Sequence, residues 1–401
     1  MTQGKKIIII GPAYPLRGGL ASYDERLARE CQVAGFKTEI YTFSLQYPGF
    51  LFPGTTQYSS EPPPTDITIK VRINSVNPMN WISVGNELKK LQPDIIVVRF
   101  WLPFMGPCLG TILRRVKRNK HTRVVCIADN VIPHEKGRGD KFLTKYFFRA
   151  VDAFITMSEK VMVDLKKLAP ATPAKFVLHP LYDNFGEPVS KLEARKKLGL
   201  PEQARIALFF GFIRKYKGLD ILIDAMKILK EKVPYSSPNV YKEVIELKRN
   251  TTRIKLLVAG EFYEDEKPYL EQIKRLRIED EFFMRTGFIP DSEVRYYLCA
   301  ADCIVQPYRQ ATQSGVTPLA YYDQRPMVVT NVGGLPDLVP DRKAGMVAEP
   351  NAKDLADKIL LCFELGQDFF APHLSELRKK YSWANMVQAI VELAEKIHHD
   401  L

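Results

Sequence analysis

"ALFFGFIRKYKG", residues 207–218, passes from an apolar run, Ala207 to Phe210, through Gly211 into a loop that places Arg214, Lys215 and Lys217 within four positions. Gly218 then opens "LDILIDAMKIL", whose apolar residues recur at helical spacing. A strand that runs into a basic loop and then into a helix N-terminus is suited to hold an anion, because fixed cations and free backbone N–H groups converge there. Arg can bind two phosphate oxygens at once and Lys adds a compact charge.

The same alternation extends in both directions. "KKIIIIG" precedes an amphipathic stretch and "KTEIYTF". "PDIIVVRFW", "RVVCIAD" and "DAFITMS" follow, each separated by a helical pattern. After residue 200 the pattern restarts with "ARIALFFG", "IKLLVAGE", "FFMRTGF", "ADCIVQP" and "PMVVTNVGG". Continuous Val/Ile runs between helices predict parallel sheets covered on both faces. The restart predicts two successive doubly wound domains, joined through "HPLYDNFGEPVSK", residues 179–191. Two stretches break the pattern. Residues 46–65 form a Pro/Gly/Ser-rich excursion, and residues 233–252 read as an insertion with a short helix of its own.

The 401 residues carry a net charge of +12, distributed unevenly. Up to residue 185 there are 26 Lys+Arg and 15 Asp+Glu, a net of +11, whereas the remainder has 32 and 31, a net of +1. The N-terminal half is therefore where an anionic partner is expected. No stretch approaches the ~18 apolar residues of a membrane span, and "KKIIII" leads into "GPAY" without the apolar core of a secretory leader. The six cysteines include no CxxC pair and read as reduced thiols. No nucleic-acid-binding motif is present. These features predict a cytoplasmic protein.

Three further segments bear on chemistry. In "IIIIGPAYPLRGGLASYDERL", Gly18 and Gly19 precede a helix and expose backbone donors. The spacing is not G-x-G-x-x-G, and Glu39 lies too far along for a ribose-binding acid, which argues against a nicotinamide dehydrogenase. In "PYRQATQSGVTPLAYYDQRPMVVTNVGG", a strand ends at Pro307, and Gln310, Thr312, Gln313 and Ser314 lead through Gly315 and Val316 into a helix. His134 follows the strand "RVVCIAD", with Asp129, Asn130 and Glu135 as weaker candidates in the same loop. The helical "PCLGTILRRVKRNKHTR" and "DKFLTKYFFRAV" combine apolar faces with Arg114, Arg115, Lys117, Arg118, Lys120, Lys141, Lys145 and Arg149, a composition suited to anionic lipid.

Taken together these segments resemble the bacterial family-4 retaining glycosyltransferases of the two-Rossmann (GT-B) type, over nearly the whole chain. "GPAYPLRGGLASY" resembles their first glycine loop, "ITMSEKVMVDL" their Ser-Glu strand end, and "FFGFIRKYKGLDILIDA" their basic donor loop. "ADCIVQP" is similar to the strand before the nucleotide helix, "PMVVTNVGGLPDLV" with "AGMVAEPNAKDLADKI" is the most specific match, and "YSWANMVQ" resembles their closing Trp helix.

The resemblance implies an α/β fold of two doubly wound domains facing across a cleft. Residues 1–185 would bind the acceptor and 186–382 the nucleotide sugar, with a helix at about 383–401 packing back on the first domain. It implies transfer from a nucleotide diphosphate sugar to a glycan or lipid-linked acceptor, with retention and without a metal or other cofactor. The implied catalytic residues are His134, Arg214 and Lys217. The implied donor site comprises Gly18, Gly19, Gly211, Arg214, Lys217, Thr312, Gln313, Ser314, Gly315 and Val316. An anionic membrane surface is a further expected partner. Two departures stand out. Phe212 follows Gly211 where the family has Arg, so Arg214 is expected to take over that role. The family's two glutamates around the nucleotide helix fall on Ala311 and Leu319 or, in another register, on Thr312 and Ala320. Their absence leaves a non-catalytic nucleotide- or carbohydrate-binding relative as the alternative.

Overall fold

The computed structural model describes residues 4–49, 56–131, 139–232, 253–311 and 314–399. The chain divides into two compact units, Met1–Pro180 with Tyr381–Leu401, and Leu181–Lys380. Among the described residues, the first has seven strands, β1 (Lys6–Ile10), β2 (Lys37–Leu45), β3 (Thr68–Asn74), β4 (Ile95–Phe100), β5 (Arg123–Ala128), β6 (Ala153–Thr156) and β7 (Ala174–Phe176), in the order β3-β2-β1-β4-β5-β6-β7. The described residues of the second form six, β8 (Arg205–Phe210), β9 (Ile254–Ala259), β10 (Phe282–Arg285), β11 (Cys303–Gln306), β12 (Met327–Thr330) and β13 (Gly345–Ala348), in the order β10-β9-β8-β11-β12-β13. Every strand pairing in both sheets is parallel.

Parallel strands need crossovers, and helices supply them, so both faces of each sheet are covered and the central strands can be apolar throughout. Ile7 to Ile10 in β1, Ile95 to Val98 in β4 and Ile206 to Phe209 in β8 are all buried. Each sheet reverses its strand order once, between β1 and β4 in the first unit and between β8 and β11 in the second. At such a reversal the loops leaving adjacent strands diverge and open a crevice at the carboxyl ends. Gly11 follows β1 and Gly211 follows β8, so both glycine loops lie at these reversals.

The first unit closes with the helix Trp383–His399, which packs on β5, β6, β7 and the helix Gly19–Val33. The Tyr23 ring lies 4.8 Å from Trp383 and 5.1 Å from His179. Beneath it, Arg99 of β4 donates two hydrogen bonds to Asp129, at 2.6 and 2.7 Å, and a third to Asp24 at 3.4 Å, while its guanidinium carbon stands 3.8 Å from the Tyr23 ring centre. All three charged residues are buried. Burial pushes the Asp24 carboxyl up to about 8 despite Arg99. The same Asp24 explains Gly11, where a Cβ atom would meet its Oδ2 at 2.1 Å.

Candidate functional site

The basic loop is built by two glycines. Gly211 ends β8 with φ of 93°, and Gly218 ends the loop with φ of 68°. A Cβ at Gly218 would lie 2.0 Å from the Pro307 carbonyl oxygen, so the loop packs directly under the segment that leaves β11. The Arg309 N–H fastens the two together by donating to the Tyr216 carbonyl at 2.7 Å. Between the glycines, Lys215–Lys217 forms a single 3₁₀ turn, with the Lys217 N–H donating to the Arg214 carbonyl at 2.8 Å.

This turn folds Lys217 back toward Gly211. A Cβ on Gly211 would stand 3.2 Å from the Lys217 Nζ and 3.9 Å from a methyl of Val316. The ammonium also lies 5.6 Å from the centre of the Tyr308 ring. The Tyr308 hydroxyl is 3.2 Å from Ser314 Oγ, and that Oγ accepts the Val316 N–H at 3.2 Å. Gly211, Lys217, Ser314 and Val316, far apart in sequence, thus meet at the strand-order reversal of the second sheet. Lys217 is partly buried and makes no ion pair with any described residue. Burial, reinforced by Arg214, pulls its ammonium down to about 8 from the usual lysine range.

Arg214 leaves Ile213 in extended backbone, and its guanidinium lies 5.1 Å from the centre of the Tyr263 ring. Ser314 is buried, and its carbonyl accepts the Thr317 N–H at 3.3 Å. The Val316 and Thr317 N–H groups are therefore engaged within the turn. Ser314 takes up the Val316 N–H at the start of the helix Val316–Tyr322. Gly315 precedes that helix, 3.8 Å from the Tyr182 ring as measured from a Cβ built on it.

In the first unit, Gly18 has φ of 100° and caps the helix Gly19–Val33 through its carbonyl, which accepts the Ala21 and Ser22 N–H groups. Asp129 belongs to the buried Arg99 pair, which ties β4 to the end of β5. His134, Glu135, Thr312 and Gln313 lie outside the described residues, as does the 233–252 insertion. Sequence reasoning missed Tyr308 and Tyr263. Tyr308 stands two residues after β11, where an aromatic residue beside Pro307 was a usable signal. Tyr263 gives none, because its relation to Arg214 exists only once β8 and β9 are paired.

Two doubly wound domains, one with cations gathered at its strand-order reversal, define a Rossmann-like α/β protein. Residues 190–384 match the family model of the group 1 glycosyl transferases. That match covers most of the second unit. The chain is 25% identical over 276 residues to TuaC of Bacillus subtilis, whose name assigns it to teichuronic acid biosynthesis. That match covers 68% of this chain and 61% of TuaC. It is 26% identical over 204 residues to a D-inositol 3-phosphate glycosyltransferase of Streptomyces scabiei, covering 50% of this chain and 43% of that protein. The chain thus spans less than two thirds of the length of both relatives. Among solved structures, sucrose-phosphate synthase of Thermosynechococcus elongatus superposes with a TM-score of 0.72 at 15% identity, over 99% of this chain and all of that one. Anabaena HepE, solved with UDP and glucose, gives 0.70 at 15% identity, over 98% of this chain and all of that one. These likenesses place the fold as GT-B.

Proposed function

We propose that this protein is an active glycosyltransferase that moves a sugar from a nucleoside diphosphate sugar to an acceptor hydroxyl, with Lys217 and Arg214 holding the diphosphate. The observation that carries the reading is the Lys217 ammonium, partly buried at the carboxyl ends of β8 and β11 without an ion-pair partner among the described residues. A cation taken out of water costs free energy unless an anion compensates it. An arriving diphosphate would supply that anion.

The chemistry follows from the charge. When the bond between the anomeric carbon and the phosphate oxygen breaks, negative charge builds on the leaving phosphate. Two fixed cations stabilise that charge more in the transition state than in the bound donor, which lowers the barrier. The acceptor oxygen forms the new bond to carbon, and its proton passes to the leaving phosphate. We take the outcome as retention, from the resemblance to the family-4 enzymes. Ala311, Leu319 and Ala320 are buried and apolar, so in neither register does a described residue supply a carboxylate there. Gln310, Thr312 and Gln313 are the proposed neutral donors to the sugar, and roles for His134, Gly18 and Gly19 are proposed from the family resemblance. The HepE structures contain UDP and UDP-glucose, which makes UDP-sugars the first donors to test.

The proposed acceptor is a glycan or a lipid-linked sugar presented at an anionic membrane surface. Phe142 is 72% exposed on the helix Asp140–Phe148, beside exposed Lys141, Lys145 and Arg149. Arg114 is less available than its sequence position suggests. Its guanidinium donates to the Gly110 and Tyr146 carbonyls and lies on the Tyr146 ring. Lys117 is paired with Asp152. Among the described residues, no helix is long and apolar enough to cross a membrane.

The test is calorimetric titration of UDP, GDP and ADP into wild type, Arg214→Ala and Lys217→Ala, with donor hydrolysis assayed alongside. A hydrogen bond to a charged group contributes about 1.5–3 kcal/mol, so each variant is expected to bind roughly 10- to 100-fold more weakly. Unchanged affinity in both variants would sink the site assignment. Binding without any hydrolysis or transfer across a panel of sugars would favour the non-catalytic alternative.

A further inference from the structure

Arg214 presents an arrangement that the diphosphate reading alone does not explain. A carboxylate paired with a guanidinium occupies the N–H edges that a phosphate would need. Arg214 makes no ion pair with any described residue, and what its guanidinium lies over is the ring of Tyr263, at 5.1 Å. An aromatic ring holds the flat face of a guanidinium and leaves its N–H edges open. The ring is fixed from two directions. The Ile213 N–H donates to the Glu261 carbonyl at 2.9 Å and the Tyr263 N–H donates to the Ile213 carbonyl at 3.0 Å, so the loop after β9 is zipped to the residue just before Arg214. The Lys215 N–H donates to a Glu264 carboxylate oxygen at 2.8 Å, just after it. Phe212 packs on the same Tyr263 ring, with centroids 4.1 Å apart and planes inclined by 32°.

We infer that Tyr263, braced by Phe212, is a positioning residue that holds the face of Arg214 and thereby presents its N–H edges to the donor diphosphate. The inference rests on the diphosphate reading above. It also accounts for Phe212 at the position after Gly211. That residue contributes no charge of its own, and it steadies the ring that steers the guanidinium two residues on.

The experiment is a double-mutant cycle read by titration with whichever of UDP, GDP or ADP binds wild type most tightly. Lys217→Ala serves as the reference for the diphosphate site. Tyr263→Leu removes the π face while keeping apolar volume against Phe212, and is expected to weaken binding about fivefold. Tyr263→Phe keeps the face and should stay within about twofold of wild type. In an Arg214→Ala background, Tyr263→Leu should cost less than about twofold more, because the two residues act as one unit. Thermal midpoints of all variants check that the fold is kept. If Lys217→Ala binds as wild type does, the diphosphate reading fails and takes this inference with it. If Lys217→Ala is weakened but Tyr263→Leu is not, only the positioning role is overturned. Fully additive losses in the cycle would also overturn it, since they would mean Tyr263 touches the nucleotide independently of Arg214.

Discussion

At the scale of single residues, Lys217, in the role proposed for it, couples binding to protons. Its folded pKa lies near 8, below the ordinary lysine value, because burial disfavours the charged form. A bound diphosphate favours the charged form, so binding takes up a proton wherever the free site has lost one. The sign is therefore fixed: affinity is highest below pH 8 and falls as pH rises through it. From pH 7.5 to 9.5 the dissociation constant for a nucleoside diphosphate should rise roughly 10- to 30-fold. Lys217→Arg keeps a cation that does not titrate in this range, so its affinity should stay flat across the same window. A wild-type curve as flat as that of the arginine variant would show that Lys217 does not meet the diphosphate.

At the scale of elements, the basic loop is held in shape by its backbone. Gly218 and Gly199 both have positive φ, 68° and 64°, and only Gly218 has a neighbour where its Cβ would go, the Pro307 carbonyl oxygen at 2.0 Å. Gly199→Ala should cost only the backbone strain, about 1 kcal/mol. Gly218→Ala must also push the segment after β11 away, and should cost about 2–3 kcal/mol and weaken diphosphate binding. Urea midpoints at constant slope measure both costs. Equal costs would mean that the contact with Pro307 contributes nothing. These elements also show how much the sequence reveals. Ten of the strands were legible as short apolar runs bounded by helical periodicity, and the loop of Arg214 and Lys217 because glycines and cations cluster locally; β3, β7 and β13 were not read, β3 and β7 being edge strands with little buried apolar surface. The return of Lys217 onto Gly211 was not, since it depends on a 3₁₀ turn that no local pattern distinguishes from an open loop. The burial of Arg99 was equally hidden. An arginine inside "DIIVVRF" finds Asp24 and Asp129 only when three distant segments are assembled.

At the scale of the whole molecule, the proposed roles separate along the chain. Arg214, Lys217, Tyr263, Tyr308 and Ser314 all belong to the second unit. The fragment Leu181–Lys380 has its own six-stranded sheet, and once shown to be folded by circular dichroism it should bind the diphosphate that wild type binds. A folded fragment that ignores it would show that residues 181–380 do not hold the diphosphate by themselves. The excess charge of the first unit bears on its proposed surface. Wild type should float with anionic vesicles at low salt and be released at high salt, as screening predicts. Lys141→Glu with Lys145→Glu should abolish flotation while leaving nucleotide affinity unchanged. Indifference of wild type to anionic vesicles would point instead to a phosphorylated or acidic acceptor in solution. The helix Trp383–His399 has one more consequence. It completes a unit whose other elements are made at the opposite end of the chain, with the second unit emerging from the ribosome in between. During synthesis, Tyr23, β5 and β6 must wait with an uncovered apolar face until the helix Trp383–His399 arrives, after the whole of the second unit has been made.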